Sequence, residues 1–122
     1  NHLEAGLKNI HGFTVLQQPM NERFCSSHYC LGMMLEPSLA NKRPALMGAL
    51  TDKGVGTSIY YPQPVPRMTY YKQKYGYDEK KFKNAATISD SIIALPVGPH
   101  LEISDMNYII KSIKEVWSDI SV

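Results

Sequence analysis

The sequence SDMNYIIKSIKEVWSDI, residues 104–120, constrains the fold more than any other stretch of the chain. Its large apolar residues return at intervals of three and four, the spacing of one face of an α-helix: Met106, Ile109, Ile110, Ile113, Val116, Trp117 and Ile120. Ser104 and Asp105 supply a predicted N-cap and a negative charge that favours a helix N-terminus. A helix with one apolar face is stable only against another layer of structure.

Two upstream segments are predicted to be strands of that other layer. Phe13 to Gln17 forms a short strand, and a turn at Pro19 to Arg23 leads into a longer one from Phe24 to Leu35. Both faces of the longer segment are largely apolar, which is typical of a central strand covered on each side. His28 is accordingly interpreted as a core histidine whose ring is hydrogen-bonded.

The two cysteines, Cys25 and Cys30, lie five positions apart within this predicted strand. Because side chains alternate along a strand, an odd spacing sends them to opposite faces. We therefore expect two free thiols, which favours a cytoplasmic location. The histidines are scattered and form no ligand spacing with the cysteines, so no metal site is expected.

Helical spacing and helix-ending residues predict four more helices, at residues 1–10, 44–53, 68–74 and 82–91. Ile92 to Leu95, bounded by Pro96, is predicted to be a short strand. The order indicates an α/β domain of the α+β type, with a short, mainly antiparallel sheet covered by helices. The length of 122 residues fits a single domain. The first helix has no cap or loop before it, so residues 1–10 are interpreted as the end of an interdomain helix.

Composition excludes several classes of function. The formal net charge of +2 is small, and the lysines between Lys72 and Lys83 alternate with aromatic and acidic residues. A nucleic-acid binder usually carries a more continuous basic stripe, so this segment is interpreted as solvated. No apolar run approaches the roughly 18 residues that a membrane span needs, so no membrane association is expected.

The sequence GVGTSIYYP, residues 54–62, continues into the prolines Pro64 and Pro66. A glycine-flanked, β-branched run predicts a buried strand from Thr57 to Tyr61 that ends abruptly in a stiff loop. Such a strand end can present side chains to a ligand. The glycines run into a strand and not into a helix N-terminus, so they do not form a phosphate loop.

Three stretches in order resemble motifs of the DegT/DnrJ/EryC1/StrS family. KGVGTSIYYPQP (residues 53–64) is similar to the family's G-I-x-T-x-x-(H/Y)-Y-P-x-P segment. AATISDSIIALP (85–96) and PHLEISDMNYIIKSIKEV (99–116) resemble the two family stretches that follow it, and the resemblance covers residues 24 to 117. The family consists of pyridoxal-phosphate-dependent aminotransferases that mostly act on nucleotide-linked keto sugars.

The resemblance implies the C-terminal small domain of a fold type I pyridoxal-phosphate enzyme in amino-sugar or polysaccharide biosynthesis. It also implies a homodimer and an amino-acid donor, usually glutamate. The family's Schiff-base lysine and most cofactor-binding groups belong to the larger, earlier domain. We therefore expect no catalytic residue and no bound cofactor in this chain, which should not transaminate alone. The alternative is a free-standing, non-enzymatic binding or interaction domain that keeps this fold.

The resemblance implies that Tyr60, Tyr61 and Arg67 contact the substrate. Tyrosines at a strand end also commonly pack their ring and hydrogen-bond their hydroxyl to the backbone. The Arg67 fork suits a carboxylate or a pyrophosphate, or it is simply solvated. Relatives often carry histidine and then leucine-glutamine after the Pro-x-Pro turn, where this chain has Pro66, Arg67 and Met68, a departure that bears on the substrate class. His100 is interpreted as a structural or exposed turn residue.

Overall fold

The computed structural model describes residues 2–16 and 21–121. Five α-helices, three strands and two 3₁₀ helices follow one another within these residues. Their bounds are α1 His2–Leu7, β1 Phe13–Val15, β2 Leu31–Leu35, a 3₁₀ helix Pro37–Lys42, α2 Arg43–Asp52, a 3₁₀ helix Val65–Arg67, α3 Thr69–Tyr75, α4 Lys83–Ser91, β3 Ile92–Leu95 and α5 Ile103–Ile120. Each predicted helix is confirmed, although α1 ends earlier than expected. Gln17 and the start of the turn predicted at Pro19 lie outside the described residues.

The three strands form an antiparallel sheet in the order β1-β2-β3. β2 is the central strand, as predicted from the apolar side chains on both of its faces. Met33 pairs with Val15 on one side and with Ile93 on the other, so these side chains share one face of the sheet. That face belongs to the hydrophobic core.

Helix α5 covers the core and packs against α1 and α2. Ile113 at its centre is fully buried, as are Leu7 of α1 and Leu46 and Leu50 of α2. Burying each such side chain contributes roughly 1.5–3 kcal/mol to folding. The apolar face predicted for residues 104–120 is thus the surface against which α1 and α2 pack.

The N-terminus of α5 differs from the prediction in one respect. Ser104 lies inside the helix, and the N-cap is Glu102. The Asp105 carboxylate accepts a hydrogen bond of 2.9 Å from the backbone N–H of Glu102, which is half of a capping box. The negative charge predicted for the first turn is present. The N-cap lies two residues before Ser104, because the Asp105 carboxylate reaches back to the N–H of Glu102.

The long strand predicted from Phe24 to Leu35 is wrong over its first seven residues. Asn21 closes a turn by accepting hydrogen bonds from the N–H groups of Arg23 and Phe24, and the chain is irregular up to Cys30. The Ser26 hydroxyl accepts from the N–H of His28, and such local bonds compete with strand pairing. His28 has a φ of 52° and is exposed, so its interpretation as a core histidine is also wrong.

The strand predicted from Thr57 to Tyr61 is reduced to a single bridge. Ser58 exchanges two backbone hydrogen bonds with Ala94 of β3, of 3.1 and 2.7 Å. Pro62 follows closely and has no N–H to donate, so the pairing does not extend. Tyr60 and Tyr61 are exposed where the prediction had a buried strand.

Cys25 is exposed, Cys30 is half-buried, and both are free thiols. The expectation of two free thiols is confirmed, although the strand geometry behind it is absent. No helix within residues 2–16 and 21–121 has the length and apolar character to cross a membrane.

Gly12 provides a test of the packing between α5 and β1. Its φ is +93°, and a Cβ atom at this position would lie 2.6 Å from Cζ2 of Trp117. We predict that Gly12→Ala lowers the free energy of unfolding by about 2–4 kcal/mol, because it adds both backbone strain and overpacking. Urea denaturation followed by circular dichroism measures the change.

Gly48→Ala is the matched control, since Gly48 lies in α2 and a Cβ atom there meets no atom within 4 Å. That variant is expected to be neutral or more stable by about 0.5–1 kcal/mol. Equal stabilities for the two variants would contradict the packing described here.

Candidate functional site

Three tyrosines gather at the edge of the sheet beside the Ser58 bridge. The rings of Tyr29 and Tyr60 stack with centroids 6.0 Å apart, and Tyr61 lies 5.7 Å from Tyr60. The pKa of the Tyr29 hydroxyl is raised, first by the charge interaction with Tyr60 and then by a hydrogen bond with it. The sequence predicted Tyr60 and Tyr61 as site residues but not Tyr29. Tyr29 lies two residues before β2, and the irregular segment before that strand brings its ring to the site.

Tyr60 and Tyr61 open onto a cleft of about 840 Å³, which we call the Tyr60 cleft. One wall is the loop from Tyr60 to Thr69, and the other is α4, through Ala85, Ile88 and Ser89. Pro64 is buried and the neighbouring Val65 is exposed. The lining is mainly aromatic, proline and aliphatic surface, which is suited to holding a ligand by shape.

Arg67 lies on the 3₁₀ helix within this loop and is bound to Asp90 of α4. Its two terminal nitrogens donate to the two carboxylate oxygens of Asp90, with Nη1 2.9 Å from Oδ2. Hydrogen bonding within this bidentate pair raises the pKa of Arg67 and lowers that of Asp90. Arg67 is therefore not simply solvated, and its ion pair ties the loop wall to the helix wall.

A second arginine contacts the C-terminal end of α4. Arg43, the first residue of α2, is half-buried, and its Nη1 donates to the carbonyl oxygens of Ser89 at 2.6 Å and Ile92 at 3.3 Å. A cation at the end of a helix satisfies carbonyl groups that have no partner within the helix. Nothing in the local sequence pattern indicated this contact, which joins residues 46 positions apart.

A metal centre and a buried lysine are two kinds of group that supply chemistry at a site of this kind. No three His, Cys, Asp or Glu side chains in residues 2–16 and 21–121 are placed to hold a metal ion. Every lysine of the chain is described, and none is buried. The half-buried pair, Lys42 and Lys53, bind the Ile120 carbonyl and Glu115. His100 is exposed in the turn before α5, where the sequence placed it.

Comparison with known proteins identifies a family. The model of the DegT/DnrJ/EryC1/StrS aminotransferase family matches residues 1–114. The chain is 29% identical over 113 residues to the erythromycin biosynthesis sensory transduction protein EryC1 of Saccharopolyspora erythraea. That alignment covers 93% of this chain and 29% of EryC1.

Solved aminotransferase structures share the fold. PseC of Helicobacter pylori superposes with a TM-score of 0.83 at 17% identity, over 97% of this chain and 30% of PseC. The aminotransferase TlmJ of Streptoalloteichus hindustanus gives a TM-score of 0.78 at 22% identity, over 98% of this chain and 30% of TlmJ. The predicted fold class is confirmed, and the chain spans about 30% of the length of these proteins.

The Arg67–Asp90 pair predicts a pH dependence of stability. Because the pKa of Asp90 is lowered on folding, the pair stabilises the fold above the unfolded-state pKa, and this contribution is lost as pH falls through the folded-state value. The Asp90 side chain is 48% exposed, so solvent screening keeps the effect small. We expect Arg67→Gln to lower the free energy of unfolding by about 0.5–1 kcal/mol at pH 7.

Urea denaturation at a series of pH values measures the difference between Arg67→Gln and the unsubstituted chain, which should shrink at acid pH. The control is Lys111→Gln, whose exposed partner Glu115 lies 3.7 Å away. It should change stability by less than Arg67→Gln at neutral pH. A difference for Arg67→Gln that stays constant down to acid pH would show that the ion pair is not its cause.

Proposed function

Because this chain belongs to the DegT/DnrJ/EryC1/StrS aminotransferase family, we propose that residues 1–122 are the C-terminal small domain of a pyridoxal-phosphate-dependent aminotransferase. The proposed substrate is a nucleotide-linked keto sugar, in amino-sugar or polysaccharide biosynthesis. The name of PseC, an aminotransferase involved in pseudoaminic acid biosynthesis, supports a sugar substrate. Residues 1–10, which contain α1, are proposed to end an interdomain helix.

The observation that carries this proposal is the Tyr60 cleft. A family motif presents two exposed tyrosines over a mainly apolar cleft, while the chain offers no buried lysine or metal cluster in its described part. Surfaces of this kind bind and orient a substrate, and orientation alone contributes several kcal/mol to catalysis. The domain is proposed to supply one wall of an active site.

Arg67 remains a proposed substrate contact, together with Tyr60 and Tyr61. Asp90 accepts hydrogen bonds from two N–H groups of Arg67, and the guanidinium has further N–H donors for a bound pyrophosphate. In this arrangement Asp90 holds the fork in place before the ligand arrives. A pre-positioned donor loses less conformational freedom on binding than a free side chain does.

The cofactor is proposed to be held by the rest of the enzyme. When bound, pyridoxal phosphate acts as an electron sink for the amino-transfer chemistry. Its attachment needs a lysine amine whose pKa is lowered by burial or by a neighbouring cation. The lysines of this chain do not fit that role, because all of them are exposed or half-buried. A glutamate donor, a homodimer and a cytoplasmic location belong to the same proposal, and the free thiols favour the last of these.

A free-standing binding domain is the second candidate, favoured by the exposed aromatic rings of Tyr29, Tyr61 and Tyr75. The coding sequence upstream of Asn1 distinguishes the two candidates. An upstream lysine and aspartate in a cofactor-binding domain support the aminotransferase. A start codon directly before residue 1 supports the free-standing domain.

Kinetics of the full-length enzyme test the Tyr60 cleft. Tyr60→Ala and Tyr61→Ala should each lower kcat/KM for the nucleotide sugar by about tenfold, because an aromatic contact is lost. Cofactor affinity should stay the same, since the cleft is not proposed to touch the cofactor. Tyr108→Phe is the control, as Tyr108 lies on α5 and its hydroxyl donates to the Lys53 carbonyl. Unchanged kinetics in both alanine variants would remove these tyrosines from the substrate site.

The 122-residue chain alone should form no stable lysine adduct with stoichiometric pyridoxal phosphate. Absorbance spectra and borohydride reduction followed by mass spectrometry measure this, and the full-length enzyme is the positive control. A stable, site-specific adduct on one lysine of this chain would contradict the assignment of the cofactor site to another domain.

A further inference from the structure

The ring of Tyr60 lines two cavities. One is the Tyr60 cleft, and the other is a hollow of about 230 Å³ bordered by Tyr29, Ser58 and Pro96, which we call the Tyr29 hollow. Tyr29 lines the hollow and not the Tyr60 cleft, whereas Tyr61 lines the cleft and not the hollow. Tyr60 therefore lies between Tyr29 and the space proposed for the substrate.

The backbone near Tyr60 leaves the direction of its side chain open. The closest described strand pairing is the bridge between Ser58 and Ala94, and Pro62 has no N–H with which to extend it. A tyrosine beyond the end of a strand can rotate about its side-chain bonds unless neighbouring groups restrict it. The face that Tyr60 presents to the cleft consequently depends on its side-chain contacts.

Two aromatic rings supply such contacts, one on each side of Tyr60. The ring of Tyr29 lies 6.0 Å away with its plane inclined by 28°, and the ring of Tyr61 lies 5.7 Å away with its plane inclined by 44°. Tyr60 is 38% exposed, against 73% for Tyr29 and 70% for Tyr61, so it is the covered ring of the three. Because Tyr61 faces the cleft, Tyr29 is the ring that supports Tyr60 from behind.

Tyr29 is itself placed by the segments on either side of it. The Ser26 hydroxyl accepts a hydrogen bond from the N–H of His28, whose positive φ of 52° reverses the chain just before Tyr29. Two residues later, Leu31 begins β2 and pairs with Leu95 of β3. A turn and the central strand thus fix the position from which the Tyr29 ring reaches Tyr60.

We propose that Tyr29 is a positioning residue, which holds the ring of Tyr60 in the orientation that faces the substrate. Tyr29 does not line the Tyr60 cleft, so its effect passes through Tyr60. A ring that is held before the ligand arrives loses less conformational freedom on binding. The inference rests on the proposed function for the identity of the substrate, and Tyr29 lies outside the 53–64 motif that contains Tyr60.

A double-mutant cycle in the full-length enzyme tests this role through kcat/KM for the nucleotide sugar. Tyr29→Ala should lower kcat/KM by about fivefold, the magnitude of one lost aromatic pair. In a Tyr60→Ala background the same substitution should lower it by less than twofold, because the ring that Tyr29 positions is already absent. Tyr29→Phe keeps the stacked ring and should recover most of the loss.

Phe24→Ala is the matched control for the cycle. Phe24 is an exposed aromatic residue of the same irregular segment and lines neither the Tyr60 cleft nor the Tyr29 hollow, so kcat/KM should change by less than twofold. Full activity of Tyr29→Ala beside an impaired Tyr60→Ala would overturn the inference. An equal loss on removing Tyr29 in both backgrounds would also overturn it, since a purely structural role has that signature.

Nuclear magnetic resonance of the 122-residue chain tests the positioning without substrate. Nuclear Overhauser contacts should join the ring protons of Tyr29 and Tyr60, and the Tyr60 ring resonances should shift in Tyr29→Ala but not in Phe24→Ala. Missing contacts or unshifted resonances would refute the role of Tyr29 whatever the kinetics. Unchanged kinetics of Tyr60→Ala with these contacts present would instead remove the substrate role of Tyr60, so the inference and the proposed function can fail separately.

Discussion

The indole of Trp117 joins the two ends of the chain, and the remaining structure depends on that contact. Its Nε1 donates a hydrogen bond of 2.7 Å to the carbonyl oxygen of His11, and its ring meets Phe13 edge to face at 5.6 Å. Gly12 between them adopts a positive φ that leaves the indole its space. The last helix is thereby fixed to the segment that leads into β1, through a bond between residues 106 positions apart in sequence.

This contact sets the position of the site through the sheet. Fixing β1 fixes β2 and β3 by pairing, and β3 holds the Ser58 bridge that delivers Tyr60 and Tyr61 to the sheet edge. Helix α4 runs directly into β3, so the far wall of the Tyr60 cleft is positioned by the same strand. Hydrogen bonds from Arg43 and Arg67 then hold the C-terminal end of α4. The position of the Tyr60 cleft therefore depends on the contact that Trp117 makes with the segment before β1.

We proposed that this domain orients the substrate while another domain binds the cofactor, and that proposal is based on which residues this chain buries. Its core is made of aliphatic side chains with Met33, Phe13 and Trp117, and its charged side chains are exposed or half-buried. The exposed rings of Tyr60 and Tyr61 line the Tyr60 cleft. A surface of this kind can bind and orient a substrate, which is the role proposed for this domain.

The amino-acid sequence by itself determined the helices, the central strand and the family. Local patterns predicted these elements without coordinates. They are the three- and four-residue spacing of apolar side chains in α5 and the prolines near α2 and β3. Phe24 to Cys30 and Thr57 to Tyr61 were predicted to be strands from their apolar content, yet strand pairing needs a partner edge. Ser58 bridges to β3, whereas Phe24 bridges only to Asn21 within a local turn. The partnership of Arg67 with Asp90, the stacking of Tyr29 on Tyr60 and the contact of Trp117 with Gly12 were decided by tertiary structure alone. Each joins residues far apart in sequence, and no local pattern encodes which distant side chain a folded chain will bring into reach.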